Sequence, residues 1–336
     1  MTDTSPSIAP LLIIGAGLAG WTTVREFRKL DTTTPVVLVT ADSGDFYAKP
    51  TLSNAYAQKR APAQLVSTPA AKMAETLNVT LLAHHQMQSL DTAAQTALVS
   101  HNGETQTLRY SQLVLATGAH PIRIPVAGSA AGQVKSINNL DDFAVFHQAL
   151  GLDPSAAEQA TPATVVIMGA GLIGCEFAND LVQAGVTVHV VDPSPRPLTL
   201  LLPADASEQL QTALQAQGVV WHFGTTVTAV DEAGNGVRVQ LADGSGVEAQ
   251  MVLSAIGLRA DTALAAAAGL TCERGIVVDD MLQTSAPGVY ALGDCAQYAS
   301  AGQRTLPYVM PIMNAAKALA ATLAGTPTPV VFPLMP

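Results

Sequence analysis

Two glycine hexads carry the strongest chemical signal in the chain: Gly15-Ala16-Gly17-Leu18-Ala19-Gly20 and Gly169-Ala170-Gly171-Leu172-Ile173-Gly174. Both read GxGxxG. In such a turn the first glycine permits a tight bend and the second lets the backbone approach a pyrophosphate. The third lets helix and strand pack closely, with the phosphates resting on the helix N-terminus. One copy means little, because 26 glycines in 336 residues supply roughly 0.15 copies by chance. Two copies, each following an apolar run and opening a helix, point to two dinucleotide sites. Their expected contacts are Gly15, Gly17, Leu18, Ala19 and Gly20 in the first, and Gly169, Gly171, Ile173 and Gly174 in the second. Asp192 closes Val190-Val191-Asp192, where a carboxylate accepts from a ribose 2′-OH and repels a 2′-phosphate. This favours NADH over NADPH at the second site, with nearby Arg196 pulling the other way. The corresponding position of the first half is Thr40, with Asp42 two residues on.

The elements that must position these turns are legible around them. Leu11-Leu12-Ile13-Ile14 is a short continuous apolar run, as a strand buried on both faces requires. A helix through Arg28 and a second apolar strand, Val36 to Val39, complete a βαβ unit. The same grammar returns at Thr164: strand Val165 to Met168, glycine turn, helix to about Ala184, strand Thr187 to Val191. The stretch 151–162, rich in Gly, Pro, Ser and Ala, reads as a surface connection before the second unit.

Composition narrows the field. The chain is 49% hydrophobic and 12% charged, which suits a globular protein with two sizeable cores. No stretch offers about 20 apolar residues free of Gly, Pro and charge, and 8–24 lacks the basic flank of a signal peptide; the expectation is a cytoplasmic protein without a membrane span. A net charge of −10 argues against nucleic acid as a partner. The acidic excess is local: residues 61–250 hold 16 Asp and Glu against 6 Lys and Arg, and the flanking segments balance. Cys175, Cys272 and Cys295 are too scattered for a disulfide framework or a zinc site. Cys175 lies just inside a helix N-terminus, where a thiol pKa can fall. It lacks a partner at redox-motif spacing and reads as a small packed residue. His84, His85, His101, His120 and His222 lack metal-ligand spacing, so no metal site is expected.

Near the C-terminus, Val289-Tyr290-Ala291-Leu292-Gly293-Asp294-Cys295-Ala296 resembles the pyridine nucleotide–disulfide oxidoreductase superfamily. There the Gly-Asp after a strand places a carboxylate on the FAD ribityl chain. Leu113 to Gly118 (LVLATG) and Val252 to Gly257 (VLSAIG) resemble its strand-plus-turn signatures. The resemblance covers nearly the whole chain. It implies an α/β fold of two Rossmann-like dinucleotide-binding domains, with the NAD domain (121–249) inserted into a discontinuous FAD domain (1–120 and 250–325). Residues 326–336 would begin a small C-terminal domain, expected to be missing. Thr117, Gly118, Gly257, Gly293 and Asp294 join the implied cofactor contacts. Thiol-dependent members of the superfamily need a reactive cysteine beside the flavin, and no cysteine precedes Cys175. The implied acceptor is therefore external.

A closer resemblance lies in Phe46-Tyr47-Ala48-Lys49-Pro50-Thr51-Leu52-Ser53, which matches the Tyr-x-Lys/Arg-Pro-x-Leu-Ser string of the rubredoxin reductase and dioxygenase ferredoxin reductase branch. GLIGCEFANDL (171–181) and PYVMPIMNAAKALAATLAG (307–325) are similar to the NADH:rubredoxin reductase family in particular. That resemblance implies FAD and NADH as cofactors and rubredoxin as acceptor. The alternatives are a ferredoxin reductase of an aromatic-ring dioxygenase and a non-turnover redox sensor. It sets Lys49 and Pro50 beside the flavin ring, where a cation stabilises negative charge, and Glu176 toward the nicotinamide-side face of the flavin. Lys49 and Glu176 are thus the catalytic candidates. Related reductases carry a lysine where this chain has Asn54, so no lysine partner for Glu176 carries over. A helix starting near Pro311 would aim its amides at the flavin, with Met310 in contact. Rubredoxin docking is expected on the near-neutral FAD side, at Lys49, Arg304 and Lys317, by a monomer or weak dimer.

Overall fold

The computed structural model describes residues 9–151 and 163–333. Most of the expected connection at 151–162, and the last three residues of the tail, lie outside them. The chain divides into two units: Met1–Tyr47, Val66–His120 and Arg259–Pro336 form the first; Ala48–Leu65 and Pro121–Leu258 form the second.

The first unit is built on a five-stranded parallel sheet in the order Val289–Ala291, Gln112–Leu115, Leu11–Ile14, Val36–Val39, Thr80–Leu82. Leu11, Leu12 and Ile13 have no solvent exposure at all, because they run up the middle of a sheet covered on both faces. The helix Leu18–Arg28 follows the first strand and packs along the helix Val309–Leu323. The last helix starts two residues before Pro311, so Met310 and Pro311 lie in its first turn. A three-stranded antiparallel sheet, Gln86–Asp91, Thr96–His101 and Glu104–Arg109, completes this unit's main architecture. Arg28 secures the lower end of the helix: its guanidinium donates to the carbonyls of Leu77, Asn78, Asp31 and Thr34. Four carbonyl acceptors explain how a charge that is 9% exposed is tolerated.

The second unit repeats the scheme at smaller scale. Its parallel sheet runs Val220–Phe223, Thr187–Asp192, Thr164–Met168, Met251–Ser254. The helix Leu172–Gln183 follows the strand Thr164–Met168, and an antiparallel sheet of Val227–Ala233, Gly236–Leu241 and Gly246–Ala249 flanks it. This unit is larger than the 121–249 read from the sequence. It takes in the strand Met251–Ser254, whose register against Thr164–Met168 makes it part of this sheet. It also takes in 48–65, a segment that leaves the first unit at Tyr47 and rejoins it at Val66.

Candidate functional site

The two glycine turns are built alike. Gly15 and Gly169 hold φ of +110° and +104°, a region that favours glycine. Each donates its N–H to the last residue but one or last of the adjoining strand, Val39 and Val191, at 2.8 Å. A Cβ on Gly15 would lie 2.2 Å from the Ala116 carbonyl oxygen, and one on Gly169 would lie 2.6 Å from that of Ala255. Gly20 and Gly174 are barred by the carbonyls of Gly15 and Gly169 in the same way, at 1.8 and 2.0 Å. The middle glycines differ: a Cβ on Gly17 or Gly171 would meet nothing within 4 Å. Space is left open at the one position where a backbone must be approached from outside. Both helices begin at that glycine without a side-chain cap or an acidic residue in the first turn. Uncapped amides facing open space fit the pyrophosphate of a dinucleotide.

The turns part company at the end of the next strand. Asp192 accepts from the Ala170 amide at 2.7 Å and from the Ser194 amide at 2.7 Å, so its carboxylate braces the glycine turn itself. Leu198, with φ of +50°, donates its own amide to the Ala170 carbonyl. In the first unit Thr40 is buried, and its hydroxyl donates to Asp42 at 2.6 Å.

Other expected contacts of the first unit gather at the same sheet end. Leu292 donates to Leu115, and Gly293 sits so close to the first helix that a Cβ there would be 3.0 Å from the Ala19 Cβ. The Tyr298 hydroxyl accepts from the Gly293 amide at 2.7 Å and fixes the turn that carries Asp294. The Thr117 hydroxyl donates to the Asp261 carbonyl, and the Asp261 amide donates to Gly118. Met310 is 60% exposed on the first turn of an uncapped helix. Gly257 holds φ of +115° in the second unit, against Ile122.

Lys49 and Pro50 open a short 3₁₀ turn, Lys49–Ser53, in the second unit, and the Lys49 ammonium donates to Asn138 Oδ1 at 2.7 Å. The Ser53 hydroxyl donates to Glu176 Oε2 at 2.7 Å. Glu176 thus has a neutral partner one residue before Asn54. Asp180, one helical turn further on, is 1% exposed and accepts from the Tyr56 and Ala57 amides at 3.0 and 2.7 Å. Burial raises its pKa above the usual carboxylate value, against the lowering effect of those amides. Sequence reasoning missed Ser53 and Asp180; the i, i+4 spacing of Glu176 and Asp180 on one helix face was the available signal. Arg304 and Lys317 are exposed in the first unit, whereas Lys49 belongs to the second, so the docking candidates are not confined to one unit.

Two of the three thiols, Cys175 and Cys295, are buried. Burial pushes Cys175 up to about 12, with Asp192 and Glu176 adding to the effect, so the helix N-terminus does not lower it. Burial likewise raises Cys295 and Cys272.

Comparisons with known proteins agree with this architecture. The family described as pyridine nucleotide-disulphide oxidoreductase matches residues 9–320. A rubredoxin-NAD(+) reductase of Alcanivorax borkumensis is 44% identical over 97% of this chain and 82% of its own length. A nitric oxide reductase FlRd-NAD(+) reductase of Aeromonas salmonicida is 42% identical over 97% of this chain and 79% of its own. Among solved structures, a ferredoxin reductase from Rhodopseudomonas palustris superposes with a TM-score of 0.85 at 30% identity, covering 96% of this chain and 77% of that one.

Proposed function

The chain belongs to the pyridine nucleotide-disulphide oxidoreductase family, and we propose that it carries electrons from NADH through FAD to rubredoxin. It is an FAD-dependent NADH oxidoreductase that serves an external electron carrier. The observation that carries the reading is the pair of open, uncapped glycine turns, of which only the second is braced by a carboxylate. FAD belongs to the first unit and NADH to the second. Bound there, FAD supplies hydride acceptance and one-electron release, chemistry that no side chain offers.

The residues divide the work of binding and orientation. Amides at Gly17 to Gly20 and Gly171 to Gly174 receive the two pyrophosphates. Asp192 accepts from the NADH ribose and repels a 2′-phosphate. Asp294 faces the ribityl chain, Thr117, Gly118 and Gly257 line the turns that close over the cofactors, and Met310 stands at the flavin edge. Lys49 contributes positive charge, and Glu176, held by Ser53, orients the nicotinamide. The acceptor docks through exposed cations, with Arg304 and Lys317 supplementing Lys49. A reductase that consumes NADH and serves a soluble carrier belongs in the cytoplasm, and the chain has no described helix long and apolar enough to cross a membrane.

The test is anaerobic NADH oxidation with added FAD, comparing a rubredoxin with a [2Fe-2S] ferredoxin at low and moderate salt. Fast rubredoxin reduction that weakens with salt supports the assignment. Reduction of ferredoxin alone favours the second reading, a ferredoxin reductase, for which the likeness to the Rhodopseudomonas palustris structure speaks.

A further inference from the structure

Residues 48–65 are contiguous in sequence with the first unit at both ends yet pack within the second. What holds them is concentrated on one face of the helix Leu172–Gln183. Glu176 takes the Ser53 hydroxyl, and Asp180 takes the Tyr56 amide on Oδ2 and the Ala57 amide on Oδ1. Apolar anchors complete the attachment: Leu52, Ala55 and Tyr56 are at most 5% exposed, and the Tyr56 ring stacks on His147 at 5.5 Å and lies against Phe143 at 5.3 Å. Among the described partners of this segment, Asp180 is the one ionisable group that is almost wholly buried, and it uses both oxygens on main-chain donors.

We propose that Asp180 is a positioning residue: by clamping the Tyr56 and Ala57 amides it fixes the 48–65 segment, and with it the Lys49–Ser53 turn and the Ser53–Glu176 hydrogen bond. The part of this that concerns Lys49 and Glu176 in electron transfer rests on the function proposed above; the clamp itself does not. A carboxylate is required by the geometry. Two donors approach two different oxygens, so an asparagine satisfies one and turns its NH₂ toward the other donor. Alanine leaves two buried amides without acceptors. Either change frees the segment from its most buried polar anchor while leaving both sheets untouched.

The segment carries its own reporter. Lys59 and Arg60 lie in the turn that follows Tyr56, and the Arg60 amide donates to Ala55 at 2.9 Å. Trypsin cleaves backbone that has opened locally, so cleavage after Lys59 or Arg60 reads opening of this segment. The experiment compares the full-length protein with Asp180→Asn, Asp180→Ala and Ser53→Ala. It measures cleavage at Lys59 and Arg60 and, by rapid mixing with NADH, the limiting rate of flavin bleaching separately from its NADH saturation. For Asp180→Asn we expect cleavage to speed up on the order of tenfold, with a fall in the limiting bleaching rate and little change in NADH saturation. Ser53→Ala should lower the bleaching rate without speeding cleavage, since it releases Glu176 but leaves the clamp. Unchanged cleavage in Asp180→Asn overturns the clamp. Faster cleavage with a wild-type bleaching rate overturns the positioning role. If the wild-type protein itself fails to bleach with NADH, the proposed function fails, and cleavage still decides the clamp. Should Asp180→Ala not fold, the near-isosteric Asp180→Asn carries the test.

Discussion

Asp192 Oδ2 accepts a 2.7 Å hydrogen bond from the Ala170 amide, so the last residue of one strand holds the glycine turn that leaves its neighbour. The carboxylate braces the turn, and on the function proposed above it also receives a ribose hydroxyl. Asp192→Ala should raise the NADH dissociation constant by about tenfold or more, since charge-assisted hydrogen bonds contribute about 1.5–3 kcal/mol. NADPH binding should suffer less, because the repulsion of its 2′-phosphate disappears. Titration of both nucleotides against the two proteins checks this. Equal losses for NADH and NADPH would show that the carboxylate serves only the turn.

The glycines separate folding from binding. Gly15→Ala places a methyl within contact of the Ala116 carbonyl at a φ of +110° and should destabilise the first unit by roughly 3 kcal/mol. Gly17→Ala meets nothing within 4 Å and should fold with an unchanged melting temperature, yet purify with less flavin. The measurement is flavin absorbance per polypeptide alongside thermal unfolding. A Gly17→Ala protein as yellow as the wild type would remove this turn from the cofactor site.

His189 and His222 lie on adjacent parallel strands, with Nδ1 of the first 2.9 Å from Nε2 of the second. Burial first, and His222 second, lower the His189 pKa below its ordinary value of 6.5. The folded protein thus disfavours the proton that the unfolded chain binds below about pH 6.5. Stability should be full above that pH and decline as pH falls through 6.5 toward the lowered folded value. His189→Gln should flatten the melting temperature between pH 7.5 and 5.5, as scanning calorimetry would show.

Two of the three thiols are buried. Cys175, held near 12, stays protonated at neutral pH, and Cys295 is fully enclosed. Thiol reagents should label Cys272 first and reach the other two only on unfolding. A variant with all three changed to alanine should reduce the carrier within about twofold of wild type, because none of them bounds a charged step. Loss of turnover in a folded, flavin-loaded variant would point to a dithiol route.

Docking through exposed cations should be weak per contact. Lys317→Glu is expected to raise the apparent KM for rubredoxin about two- to fivefold at low salt, as surface pairs contribute about 0.2–1 kcal/mol, and the difference should fade at high salt. An unchanged KM at low salt would clear Lys317 of any part in docking.

The strands and helices around the two glycine turns were legible because their signals are local: an apolar run, a glycine bend, a helix, another apolar run. The strand within VLSAIG was legible as well, but not the sheet it joins, because its pairing with Thr164–Met168 spans more than eighty residues and leaves no mark in its own composition. The partners of Asp180 were hidden for the same reason. In GLIGCEFANDL it looks like any polar residue of a helix, and its partners Tyr56 and Ala57 are 123 and 124 positions away. The thiol of Cys175 was legible as a packed residue, but the rise in its pKa was not, because that comes from burial and from Asp192 and Glu176 around it.

The division of the chain also sets an order of assembly on the ribosome. Everything the second unit needs, from Ala48 to Leu258, has been synthesised before the first unit possesses its strand Val289–Ala291 or its helix Val309–Leu323. At ordinary translation speeds of about 5–20 residues per second the gap lasts a few seconds. Throughout it the nascent strands Leu11–Ile14 and Val36–Val39 lack their full cover, and the N-terminal half waits on the C-terminal end to become native. The second unit should therefore be born first, although it is encoded in the middle.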